Sequence, residues 1–194
     1  MTSPAQRSAT YQDVLDAPEH MVAELIGGDL FLQPRPAKPH AEAASVLGML
    51  IGPPFRLGRG GPGGWWIQYE PELHLGDHVL VPDLAGWRRA EMPDLDLSQA
   101  FYTEAPTWVA EVLSPSTMGL DRVRKLPLYG THGVAYAWLI DPTAKTLEVF
   151  ARRDDHWTLT STYEAPGALR AEPFEAVELD LGDMWIGPDP TDAG

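Results

Sequence analysis

Two short apolar runs, HVLVPDLAGW (78–87) and TWVAEVLSPST (107–117), each carry one carboxylate in a segment that otherwise reads as buried. TWVAEVL is too short for an ordinary helix, so it is read as a buried strand that SPST breaks. Charged groups are seldom placed in buried strands unless they are paired or bind a metal. Asp83 or Glu111 alone would be read as a strand cap accepting backbone amides. Two such acids at neighbouring strand ends, followed by Lys125, point instead to a site.

Downstream of these runs, residues 119–132 predict a helix that Pro127 should kink or divide. VAYAWLI (134–140) is a second buried strand, and Asp141-Pro142 turns the chain into TLEVFARR (146–153) and HWTLTSTY (156–163), an alternating antiparallel pair. Upstream, WWIQYEPELHL (65–75) joins HVLVPDLAGW through Gly76-Asp77 as a hairpin, after a Gly/Pro-rich loop over 52–64 that carries Arg56 and Arg59. Residues 39–51 show a helical apolar pattern ended by Gly52-Pro53-Pro54. VAELI and DLFLQ, joined by Gly27-Gly28, form another hairpin, since paired glycines reach the positive φ such turns need. A short helix begins at Thr10-Tyr-Gln-Asp13, and residues 91–106 form an acidic connection. This order predicts an α/β protein with a mixed sheet flanked by helices, in a single domain over 1–194 whose last residues, 188–194, are a frayed tail.

Apolar residues at 44% and seven Trp suit an ordered core. No apolar run approaches the ~20 residues of a membrane helix, and the N-terminus lacks a signal pattern, so the chain is read as cytoplasmic with no membrane partner. The absence of Cys excludes disulfides, thiolate zinc sites and cysteine nucleophiles, so any metal must sit on oxygen or imidazole. No G-x-S-x-G, Walker or Rossmann pattern is present. The net charge of −14 argues against constitutive, sequence-independent nucleic-acid binding. That objection is softened by the seven acids in residues 172–194, a stretch without Lys or Arg that can lie on a remote edge.

AELIGGDL (23–30), His40, VPDL (81–84), VAEVLSPST (109–117), Asp121 with Lys125, and GVAYAWLIDP (133–142) follow one another in an order that resembles the PD-(D/E)xK nuclease superfamily. More closely, they resemble the Uma-type family of restriction-endonuclease-like proteins abundant in cyanobacteria and other bacteria. The resemblance implies a restriction-endonuclease-like fold, Mg²⁺- or Mn²⁺-dependent hydrolysis of DNA phosphodiesters, and a homodimer. It makes Asp83 and Glu111 the metal carboxylates and Glu24 an additional acid. Hard Mg²⁺ suits such oxygens and keeps waters alongside them.

The superfamily's basic pattern puts lysine two residues after the second acid, where this chain has Leu113, so Lys125 on the following helix is the implied substitute. From spacing alone a solvated Asp121–Lys125 pair, contributing ~0.2–0.5 kcal/mol, explains that lysine equally well. His40 is a candidate for orienting substrate or a carboxylate, and Arg122 and Arg124 for holding phosphate; surface positions are the plainer account of all three. His20, His74, His78, His132 and His156 form no recognised ligand spacing, and Tyr136 stands where relatives often carry an acid. Trp65-Trp66 are read as core, with base stacking the lesser reading. Two other functions compete with the nuclease: an inactive nuclease-fold binding or regulatory module, favoured by acidity and Leu113, and an acidic partner-binding protein whose carboxylates are scattered.

Overall fold

The computed structural model describes residues 7–185. A short helix, α1 (Tyr11–Leu15), leads into the hairpin of β1 (Met21–Ile26) and β2 (Asp29–Pro34). Gly27 and Gly28 turn it with φ of 62° and 82°, the left-handed pair expected from the sequence. Next come α2 (Lys38–Ile51), β3 (Trp65–Tyr69), β4 (Leu73–Leu75), β5 (His78–Leu80), β6 (Leu84–Arg88) and β7 (Trp108–Val112). A helical stretch follows, with α3 (Met118–Leu120) and α4 (Leu126–Thr131) joined by a π-helical turn over Asp121–Lys125. The chain continues through β8 (Tyr136–Asp141), β9 (Thr146–Arg153) and β10 (His156–Glu164), and then the small pair β11 (Ala168–Leu169) and β12 (Leu179–Asp180).

The main sheet has six strands in the order β10-β9-β8-β7-β6-β3, with only β7 and β8 parallel. The helical stretch from 118 to 131 makes the crossover that a parallel pair requires. A second sheet runs β2-β1-β5-β4. The period of two along β7 sends Trp108, Ala110 and Val112 to a core shared with Ala43, Leu47 and Ile51 of α2, and Val109 to a core shared with Tyr129 of α4. Helices therefore cover both faces, and Glu111 points to the face covered by α4.

The sequence predicted one long hairpin over 65–87, but both of its strands are divided between the two sheets. One breaks at Glu70-Pro71, where Glu70 takes φ 42°, and the other at Val81-Pro82. Proline cannot donate to a ladder, so the chain changes sheets at these points. The predicted loop over 52–64 begins instead with a π-helical turn, Gly52–Arg56, because Phe55 is buried against Phe174 with ring centroids 4.6 Å apart. The predicted tail, 188–194, lies outside the described residues. No helix among the described residues is long and apolar enough to cross a membrane.

Candidate active site

Antiparallel pairing of β6 with β7 sets Leu84 opposite Ala110, which places Asp83, just ahead of β6, beside the end of β7. Asp83 Oδ2 accepts from the Val112 amide at 2.7 Å, and His40 Nε2 of α2 lies 3.3 Å from the same oxygen. Glu111 Oε1 accepts from the Tyr129 hydroxyl at 2.6 Å and lies 3.0 Å from Lys125 Nζ. Glu24 arrives from β1, with Oε1 3.0 Å from the same ammonium and also accepting from the Val81 amide at 2.8 Å. Gln33 donates to Glu24 Oε2 at 2.9 Å. Lys125 donates further to the Val81 carbonyl at 3.2 Å, with Asp121 Oδ1 at 3.7 Å.

These groups are taken out of water: relative exposure is 0% for Glu24, 4% for Glu111 and 2% for Lys125. Burial opposes the charge on Lys125, but Glu111 and Glu24 outweigh it and hold the ammonium well above its ordinary pKa. Burial pushes Glu111 well up, with Lys125 pulling against it, and raises Asp121 in the same way. Tyr129 is raised well above the usual phenol value, first by burial and then by Glu111, so it stays a proton donor to that carboxylate. On His40 burial acts downward, but the hydrogen bond and charge of Asp83 prevail and raise it.

Glu24, His40, Asp83, Glu111 and Lys125 line one cleft of about 300 Å³, with Asp121 among them. Arg122 and Arg124 do not. Both lie on the exposed side of the helical stretch, where Arg122 Nη2 is held 2.5 Å from Glu148 of β9, so the phosphate-binding role expected of them finds no support at this cleft. Leu113 is core, Tyr136 is half-buried outside the cleft, and of the histidines only His40 reaches it. Trp65 is core and Trp66 is committed, its indole donating to Met92 O at 3.0 Å while the Arg89 guanidinium covers its ring at 3.9 Å.

Sequence reasoning missed three residues. Asp121 is a buried member of the network and not a solvated helix partner, while Tyr129 and Gln33 orient Glu111 and Glu24. The signal for the first two is the 121, 125, 129 spacing, one face of a helix.

An implied Mg²⁺ can be tested against this donor set. No hydrogen bond from a described residue reaches Asp83 Oδ1 or Glu111 Oε2, and both side chains line the cleft. No three His, Asp or Glu groups among the described residues converge as a complete cage. Mg²⁺ requires less, since it is commonly held by one or two carboxylates and keeps several waters. Both oxygens of Glu24, in contrast, are already engaged, so Asp83 and Glu111 fit the ion and Glu24 serves the lysine.

A mixed sheet with helices on both faces, and a carboxylate-lysine cleft at the ends of its central strands, define the restriction-endonuclease-like class of α/β fold. The chain belongs to the Uma2 family, described as "Putative restriction endonuclease", whose profile matches residues 9–182. It is similar to the crystal structure of a "putative nuclease" from Anabaena variabilis at 25% identity and a TM-score of 0.72, covering 91% of this chain and 97% of that one. None of the curated proteins matches it.

Proposed function

We propose that this protein is a Mg²⁺- or Mn²⁺-dependent endonuclease that hydrolyses DNA phosphodiester bonds, working as a homodimer in the cytoplasm. The observation that supports it most is the convergence of Asp83, Glu111 and Lys125 on one cleft, with an oxygen of each carboxylate left open. Held by Asp83 and Glu111, such a cation would supply Lewis acidity toward the phosphoryl group and would lower the pKa of a water. Asp83 is fixed for this by the Val112 amide and His40, and Glu111 by Tyr129. Lys125 contributes a preorganised positive charge where negative charge develops, which in a water-poor site is worth more than in bulk solvent. Glu24 keeps that ammonium charged and aimed. The family's description and the Anabaena relative support a nuclease in general; DNA as substrate and the cation are the finer part of the proposal.

A second reading, an inactive nuclease-fold binding module, is favoured by one observation. Lys125 already has Glu24, Glu111 and the Val81 carbonyl within hydrogen-bond reach, one acceptor for each of its protons. To touch substrate it must release one of them. The deciding experiment compares wild type with Asp83→Asn on single- and double-stranded DNA at low ionic strength, in Mg²⁺, Mn²⁺ or chelator, alongside calorimetric metal titration. Metal-dependent cutting that the variant loses supports the enzyme. Equal residual cutting by both proteins indicates a contaminating nuclease, and no cutting under any condition moves the assignment to the binding module.

A further inference from the structure

We infer that the cleft takes a single unstacked nucleotide of a flexible single strand, and that intact duplex is a poor substrate; this rests on the nuclease reading above. The reason lies in the depth of the chemistry. Glu24, Glu111, Asp121 and Lys125 are all nearly sealed from solvent, at the floor of the cleft. The hairpin of β1 and β2, with the segment after it, contributes Val22, Pro34, Pro36 and Ala37 to the lining, and the loop after β7 contributes Pro115. At about 300 Å³ the space is at the small end of ligand pockets, which run from roughly 300 to 1,000 Å³. A duplex is a stiff, stacked cylinder that cannot enter a cleft of this size whole, so a strand must be unpaired and unstacked locally, at a cost of a few kcal/mol, before one of its nucleotides can occupy it. A single strand carries no such cost.

Charge leads to the same conclusion. Duplex affinity comes from Lys and Arg neutralising phosphates, about one charge per 1.7 Å of helix. Among the described residues the Lys and Arg side chains lining the cleft are Lys125, at its floor, and Arg35, which lies 3.6 Å from Glu70 on the same rim, while His40 is paired with Asp83. Arg7, Arg122, Arg152, Arg153 and Arg170 are each paired with an acid elsewhere, while Arg56, Arg88 and Arg89 lie over Trp65 and Trp66. Lys38, Arg59, Arg124 and Lys145 remain, on four separate segments; Lys38 and Arg124 adjoin the cleft residues Ala37 and Lys125 in sequence but do not line the cleft themselves. No basic track for a duplex leads to the cleft among the described residues. The walls Val22, Pro34, Pro36, Ala37 and Pro115 are aliphatic, so a base would be held there by burial of apolar surface and not by aromatic stacking.

The test uses the full chain in Mn²⁺ at low salt and one labelled sequence presented three ways: as a single strand, as a blunt duplex, and as a duplex with a short unpaired bulge. Cutting of the single strand should be at least ten-fold faster than cutting of the duplex, and the bulged duplex should be cut at the bulge. Ala37→Phe, which narrows the mouth without touching the carboxylates, should slow single-strand cutting at least ten-fold with no change in melting temperature. Val22→Phe, from β1 on the same side of the cleft, checks the same point should the first variant fail to fold. Duplex cut as fast as single strand, or narrowed variants that cut like wild type, overturn the inference and leave the nuclease reading standing. No cutting of any substrate overturns both.

Discussion

Lys125 carries a full charge into a site from which water is almost excluded, and its counter-ions Glu24 and Glu111 are as buried as it is. Truncating one partner of such a set leaves the others uncompensated, a loss of roughly 3–5 kcal/mol. Lys125→Met is therefore expected to lose stability as well as activity in urea denaturation. Adding Glu24→Gln should return part of the loss, because the second change removes one of the stranded charges. A Lys125→Met protein as stable as wild type would show that the ammonium is solvated and the buried network does not exist. Tyr129→Phe is a milder probe of the same cluster. It keeps the ring in the core but removes the donor that holds Glu111 Oε1, a hydrogen bond to a charged group worth about 1.5–3 kcal/mol. The expected result is a lower denaturation midpoint together with weaker Mn²⁺ binding in calorimetry, since Glu111 is no longer aimed; unchanged values in both would remove Tyr129 from the site.

The helical stretch from 118 to 131 delivers Lys125 and Tyr129, and its far end is locked by a contact with β10. Trp157 Nε1 donates to the Leu126 carbonyl at 2.7 Å, and a Cβ placed on Gly130 would lie 2.8 Å from that nitrogen. Gly130→Ala gains up to about 1 kcal/mol of helix propensity but pushes the indole off its acceptor, and overpacking of this kind costs about 1–3 kcal/mol. We expect net destabilisation, with a changed near-ultraviolet dichroism signal from tryptophan; a stabilised variant would mean the indole swings aside freely. Elements like this one were only partly legible in the sequence. The turn of the β1–β2 hairpin and the buried strands β7 and β8 were readable because periodicity and glycine chemistry are local. The division of the long strands at Pro71 and Pro82 was not, since it depends on which sheet has room for each half. Gly52-Pro53-Pro54 reads as a helix stop, yet burial of Phe55 carries the helical path on to Arg56. In the site, Asp83 and Glu111 stood out as charges within apolar runs. Asp121 and Tyr129 did not, because spacing says which residues share a helix face but not whether that face is buried.

Across the whole molecule, 28 acids against 14 bases set a net charge of −14, so folding gathers like charge into a compact body. Two consequences of salt then run in opposite directions. Screening shortens the range of surface repulsion, to about 10 Å at 0.1 M ionic strength, and should raise the melting temperature as NaCl goes from about 10 mM to about 300 mM. The Lys125 network is sealed from solvent and contributes little to that change. Nucleic-acid affinity should fall over the same range, because whatever phosphate contact exists is made against an unfavourable field and is lost by counter-ion competition. Scanning calorimetry and cleavage rates across one salt series would therefore separate the two effects: the fold strengthens while turnover at limiting substrate declines. A melting temperature that fell with salt would mean that exposed pairs such as Arg7–Asp13 and Arg153–Glu172 outweigh the net repulsion. The acidic surface would then act as a set of compensated pairs and not as a barrier to substrate.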